Sequence, residues 1–167
     1  RRGMRVGMVL FVATAAILVM ALAMPAFADL FADKRVHGGA WRAAYHVFVR
    51  IPLGTVLLEE IALRSVLPAV LALRVGVLKA SIISSALFGL WHVLPALNLN
   101  EVNPIASDIF GSGLGGQAIA VSFAVASTTL VGLWLCFLRY RAHSVLTTML
   151  AHTASNSIAY ALAWASR

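Results

Sequence analysis

The chain has 167 residues, of which 61% are hydrophobic and only 11% charged, and its mean hydropathy is +0.90. Soluble domains are about a quarter charged, so this composition excludes a water-facing globular surface and makes lipid the natural solvent. The formal net charge of +7 comes from basic residues scattered between apolar runs, without the basic patch and interleaved aromatics that a nucleic-acid partner requires. Arginine outnumbers lysine 11 to 2, which points towards a GC-rich bacterial genome and hence a bacterial cytoplasmic membrane. The single cysteine, Cys136, rules out an internal disulfide and a cysteine-based metal cluster. It sits mid-run among apolar residues with no polar activator beside it, so it is expected to pack rather than react.

Apolar runs of about 20 residues mark helices able to cross a ~30 Å hydrocarbon core. The sequence predicts an all-α, polytopic bundle of about five such helices, near residues 6–28, 43–73, 80–97, 117–138 and 145–165. Around the first run, Arg1, Arg2 and Arg5 with Ala26-Phe27-Ala28 imitate a secretory signal and its cleavage site. The run is longer than the usual apolar region of about 7–15 residues, so a retained helix is expected. Either way Asp29 lies outside. The second run carries Pro52, Pro68 and three charges, and is expected to be one long helix or two broken pieces. No internal repeat or low-complexity segment appears.

If the five spans alternate, Arg1, Arg2, Arg5, Arg74, Lys79, Arg139 and Arg141 share one side. Lys34, Arg35, Arg42 and Arg167 share the other with Asp29, Asp33, Glu101 and Asp108. Cytoplasmic loops carry the basic excess, so the first side is expected to be cytoplasmic. The connection 98–116, the longest in the chain, is then external.

Glu59, Glu60 and Arg64 lie inside the second run. A charge at mid-bilayer costs roughly 2.5–3.5 kcal/mol on insertion scales, so three are tolerable only when paired or facing a polar cavity. Glu60 and Arg64 stand four apart, share a helix face and are expected to form an ion pair. Glu59 is rotated by about 100° from Glu60 and keeps no local partner, a setting that raises a carboxylate's proton affinity and suits a general base. Phe88 and His92 stand four apart in the third run, and His152 and Asn156 four apart in the last. Each alone reads as polar helix glue. Depth argues for more. Glu59 is 15 residues from Arg74, His92 13 from Lys79, His152 11 and Asn156 15 from Arg141. At 1.5 Å per residue these heights are roughly 16–23 Å, so three helices bring acid, imidazoles and amide to one layer.

Glu59-Glu60-x-x-x-Arg64, Phe88-x-x-x-His92 and His152-x-x-x-Asn156 resemble the three ordered motifs of the CAAX-protease and bacteriocin-processing (CPBP, or Abi) family of intramembrane peptidases. Type II CAAX prenyl endopeptidases belong to that family. The resemblance spans about residues 43–165 and departs from the usual pattern at Ser65, where glycine is common. It implies a peptidase domain over 43–167, while residues 1–42, outside the resemblance, are read from their apolar run as an N-terminal helix and connecting loop. It further implies a polar intramembrane chamber in which a peptide bond is hydrolysed. By matching positions, Glu59 would activate water with His92 assisting, His152 and Asn156 would steady the oxyanion, and Glu60, Arg64 and Phe88 would support the architecture. The residue chemistry agrees, because amide hydrolysis needs a base and donors aimed at the developing charge.

The family has often been called metalloprotease, and zinc, if bound, would take Glu59, His92 and His152. There is no His-Glu-x-x-His pattern, and the ligands would come from three helices. No cofactor is therefore expected, and a metal-independent, glutamate-activated water is the favoured chemistry. The expected partners are membrane lipid and a peptide or membrane-protein substrate, with no nucleic acid. Two rival functions are a proton-coupled transporter, which usually shows inverted repeats that are absent here, and an inactive family member acting as a membrane binding partner. Gly111-Ser-Gly113-Leu-Gly-Gly116 fits a dinucleotide pattern but follows no strand, and Phe110 spoils a rhomboid-like Gly-x-Ser-Gly around Ser112. A flexible external loop is the expectation there. His37, His46 and His143 lie near helix ends, where interfacial solvation explains them.

Overall fold

Lipid offers no partners to backbone amides, so each apolar segment must close its hydrogen bonds internally, and helices do so. In the computed structural model, which describes residues 1–167, the chain is helical throughout its long segments and contains no strand. Helix α1 is Arg2–Ala23. Helices α2 (40–75) and α3 (77–91) follow, then α4, Gly113–Ala142. Helix α5 (145–165) consists of Val145–Thr153, a wide turn Ala154–Ile158, and Ala159–Ala165.

Three helical runs are long and apolar enough to cross a membrane: Arg2–Ala23, Ala40–Trp91 and Gly113–Ala142. The second is a hairpin. At Gly76 the backbone adopts φ 78° and ψ 163°, a conformation that only a residue without Cβ takes easily. Across the fold, Ser84 Oγ donates to the Leu63 carbonyl and Trp91 Nε1 donates to Glu59 Oε1. A single glycine therefore reverses the chain where the sequence suggested a longer connection.

Two boundaries differ from expectation. His92 does not lie within the third helix but caps it at φ −86°, ψ 0°, because Pro95 has no N–H to extend the ladder. The connection 98–116 is not a flexible loop. It forms Leu99–Val102 and Pro104–Phe110, with Asn103 Oδ1 accepting from the Ala106 amide, and α4 begins already at Gly113. Helix α2 stays unbroken through Pro52 by widening into π-helical turns over His46–Val56 and again over Ile61–Val66. Proline removes an intrahelical donor, and a wider turn is one way a helix absorbs the defect.

The polarity of the interior is inverted relative to a soluble protein. Val12, Ile17, Leu73, Leu78 and Phe137 point outward, while Glu60, Ser84, Ser85, Thr147 and Thr148 are fully buried. Hydrophobic burial thus contributes little between helices, and close packing of small residues takes its place. Gly3 and Gly7 bring α1 against Ser144, Thr147 and Leu150 of α5, and Thr147 Oγ1 donates to the Gly3 carbonyl at 2.9 Å. Gly89 of α3 and Gly132 of α4 hold those two helices together in the same way.

These pairings collect Arg1, Arg2, Arg5, Arg74, Lys79, Arg139 and Arg141 at one end of the bundle, around Gly76 and the tight turn at His143. At the other end Arg35 donates to the Pro95 carbonyl, Asn103 to Leu30, Trp164 to Gly38 and Arg167 to Asp33. A Cβ at Gly89 would meet the Val125 carbonyl oxygen at 2.6 Å, and backbone cannot step aside. Gly89→Leu should therefore spread α3 from α4, costing about 1–3 kcal/mol or more as overpacking does. Thermal unfolding in detergent should show a lowered Tm; an unchanged Tm would contradict this packing.

Candidate active site

The site is built where α2, α3 and α5 meet. Glu59 and Glu60 end a short stretch of normal α-helix, Leu57–Glu60, that lies between the two wide turns of α2. Consecutive positions on a helix diverge by about 100°, so the two carboxylates address different neighbours. Both are buried, with 6% and 0% of their surface exposed.

Glu60 turns to α5. Its Oε1 accepts from His152 Nδ1 at 2.9 Å. The ion pair expected with Arg64 is looser, at 3.9 Å from Nε to the same oxygen. Arg64 is itself buried with no hydrogen-bond partner on any of its nitrogens. Its guanidinium lies 4.1 Å over the Phe88 ring instead. A cation over an aromatic face gains about 2 kcal/mol or more when desolvated, so Phe88 supports Arg64 as well as the imidazoles. The sequence paired Glu60 with Arg64 by helix spacing alone and missed His152, a residue 92 positions away.

Glu59 turns to α3. Trp91 Nε1 donates to its Oε1 at 2.9 Å. The other oxygen, Oε2, is buried without a hydrogen-bond partner and lies 3.7 Å from His152 Nε2. Nothing in the sequence singles out Trp91. It precedes His92, carries no charge and is 57% exposed.

His152 is therefore enclosed on both sides. Asn156 Nδ2 lies 3.2 Å from its Nε2 and Glu60 holds its Nδ1. An amide N–H donating to Nε2 leaves Nδ1 as the protonated nitrogen, which matches a carboxylate acceptor. Asn156 keeps a second N–H and is half-buried. His92 stands apart from this network. Its Nδ1 meets the Phe88 carbonyl at 2.7 Å, and a carbonyl only accepts, so Nε2 retains its lone pair. The rings of His92 and His152 both pack edge-on against Phe88, at 4.6 and 5.7 Å between centroids. No direct contact joins His92 to Glu59.

No three His, Cys, Asp or Glu side chains converge as ligands. Both ring nitrogens of His152 already face protein partners, and Glu59, His92 and His152 do not form a common centre. These residues, as placed, do not fit zinc. Cys136 is buried 3.8 Å from Ser85 Oγ and packs between α3 and α4.

The sequence profile of the family described as Type II CAAX prenyl endopeptidase Rce1-like matches residues 41–158. No curated protein and no solved structure matches.

Removing the indole N–H from Glu59 leaves a second buried carboxylate oxygen unpaired, which costs about 1–3 kcal/mol or more for a charged group. Trp91→Phe keeps the ring's bulk and should leave the fold intact while displacing Glu59. In a turnover assay kcat should fall by roughly tenfold with KM little changed. Unaltered kcat would remove Trp91 from the site.

Proposed function

The chain belongs to the Rce1-like type II CAAX prenyl endopeptidase family, and on that premise we propose that it is a multi-pass intramembrane endopeptidase in which Glu59 activates the attacking water. The observation that carries this reading is the asymmetric environment of Glu59. One carboxylate oxygen is fixed by Trp91, and the other is buried, unpartnered and beside His152. A base needs one such open oxygen.

Water placed against Oε2 loses a proton to Glu59 as its oxygen adds to the substrate carbonyl. The carbonyl oxygen becomes an oxyanion, and the spare N–H of Asn156 is a donor able to receive it. His152 holds Asn156 in register, because its Nε2 accepts the amide's other N–H and its Nδ1 is locked to Glu60. Collapse of the tetrahedral species breaks the C–N bond. The proton that Glu59 took from water passes to the departing amine, directly or relayed through the free Nε2 of His92. Exclusion of bulk water strengthens each of these interactions. No step is routed through a metal.

The orientation follows from the charge bias between the two ends of the bundle. Seven basic residues at the Gly76 end make it cytoplasmic, and the segment around Ser112 external. In a Cys136→Ser background, a membrane-impermeant maleimide should label Ser112→Cys in intact cells and spare His143→Cys. The opposite pattern would invert the protein.

Glu59→Gln preserves shape and hydrogen bonding but cannot accept a proton at neutral pH. With purified protein in detergent and a membrane-peptide library, this variant should fold normally and lose roughly 10²–10⁴-fold in turnover. Asn156→Ala should lose roughly 10²–10³-fold, as for an oxyanion donor, and His152→Ala a comparable factor by releasing Asn156. Cleavage should persist in the presence of a chelator. Full activity of Glu59→Gln, or a proton flux without cleavage, would overturn the mechanism.

A further inference from the structure

All six acidic residues of the chain lie away from the Gly76 end of the bundle. Glu59 and Glu60 belong to the polar cluster, and Asp29, Asp33, Glu101 and Asp108 belong to the opposite end. The seven basic residues at the Gly76 end therefore have no carboxylate to meet, and none of them takes part in an ion pair. A bias of charge between two ends sets topology and needs no ligand. Topology does not, however, require a cavity. Where α1 packs against the turn from α4 to α5, Arg1, Arg5, His143 and Ser144 line one of about 560 Å³, within the roughly 300–1,000 Å³ of small-molecule sites.

The lining is made of donors. Arg1 and Arg5 stand four apart and share a helix face, where like charges repel unless an anion lies between them. A guanidinium has five N–H groups and no acceptor. Across the cavity, His143 adopts φ 51° and ψ 33° directly after the last helical residue of α4. That succession turns consecutive backbone N–H groups to one side, as in an anion-holding nest, and the N–H groups of His143 and Ser144 bond to no backbone carbonyl. Ser144 then caps α5 without a side-chain bond, at the positive end of that helix's dipole. Side-chain charge comes first here, and the backbone adds to it.

The other wall is apolar. Met4 and Leu146 complete the cavity beside the buried Gly3 and Ala142. Met8, one turn beyond Met4 on the same face of α1, is 48% exposed, and Met4 is 49% exposed. The face therefore changes from guanidinium to thioether towards the interior of the membrane. A phosphodiester suits the first part, since arginine binds phosphate oxygens in pairs. Acyl chains suit the second. A free phosphate would use only the first.

We propose that Arg1, Arg5 and the His143–Ser144 turn form a binding site for the phosphodiester of an anionic glycerophospholipid, whose acyl chains run along Met4, Met8 and Leu146. Basic pockets between membrane helices take anionic head groups for the same electrostatic reason. The site is separate from the peptidase chemistry and does not depend on it. A lipid seated there ties α1 to the α4–α5 turn, beside the hydrogen bond from Thr147 to the Gly3 carbonyl. It stabilises the folded chain, because the unfolded chain holds no such cavity.

The full chain, delipidated in a non-ionic detergent, is titrated with dioctanoyl phosphatidylglycerol, dioctanoyl phosphatidylcholine, glycerol 3-phosphate and inorganic phosphate. Tm is read throughout, and retained lipid is counted by native mass spectrometry. Phosphatidylglycerol should raise Tm saturably and bind roughly tenfold more tightly than phosphatidylcholine, the scale of one charge-assisted hydrogen bond. Arg1→Gln/Arg5→Gln should erase that preference, and Arg1→Lys/Arg5→Lys should keep part of it, because lysine meets phosphate as a point charge. Arg74→Gln/Lys79→Gln removes equal charge from the same end outside the cavity and should leave the preference intact. Each variant is read against its own lipid-free Tm, so a loss of intrinsic stability does not obscure the comparison. Equal loss of preference in Arg74→Gln/Lys79→Gln would reduce the site to diffuse surface charge and overturn it. The same Tm gain from inorganic phosphate or glycerol 3-phosphate at matched concentration would overturn the lipid as occupant, and the absence of any preference for phosphatidylglycerol would overturn the site outright.

Discussion

Two adjacent carboxylates buried in a lipid-facing bundle form the constraint around which this structure is arranged. Neighbouring residues on a helix point about 100° apart, so no single partner can serve Glu59 and Glu60. The chain answers with two helices. Helix α3 brings Trp91 to Glu59, and α5 brings His152 to Glu60. Arg64 adds its charge from within α2 and rests on Phe88 rather than closing a tight pair. A buried ion pair is weak evidence of stability in any case, because desolvation cancels most of the attraction. Removing one member would still leave the others stranded.

Bringing three helices to one point requires small residues, because lipid supplies no hydrophobic force between them. Gly89 and Gly132 let α3 and α4 approach to backbone contact, and Ser84 reaches the Leu63 carbonyl across the hairpin. The Gly76 reversal then sets the register. It places Phe88 over Arg64 and Trp91 against Glu59, with His92 just beyond the helix end. The alignment of the α3 residues against α2 thus depends on one glycine at positive φ at the far end of the bundle.

The matched family region, residues 41–158, holds every residue of the polar cluster. A trough of about 540 Å³ that lies between α1, α2 and α5 and reaches Asn156 does not belong to it entirely. Leu18, Ala21, Leu30, Phe31 and Val36 come from α1 and the segment that follows, and α1 is held on α5 by Gly3, Gly7 and Thr147. The polar cluster and the trough beside it are therefore contributed by different parts of the chain.

Composition alone determined that the chain lies in lipid, and the apolar runs marked its helices to within about six residues at each end, since backbone hydrogen bonding in lipid leaves few alternatives. Helix spacing alone also determined which residues are local neighbours. Glu60 and Arg64, Phe88 and His92, and His152 and Asn156 each stand four apart and each meet. What spacing could not supply was any contact between helices. That Trp91 binds Glu59, that His152 belongs to Glu60, and that Phe88 carries Arg64 depend on the hairpin at Gly76 and on the rotation of α5 about its axis. The helix end at His92 and the short helices of 98–116 were likewise decided locally, by Pro95, Asn103 and Pro104. The sequence named the groups that share a face; only the packing of three helices, set by glycine contacts far apart in the chain, decided which groups share a proton.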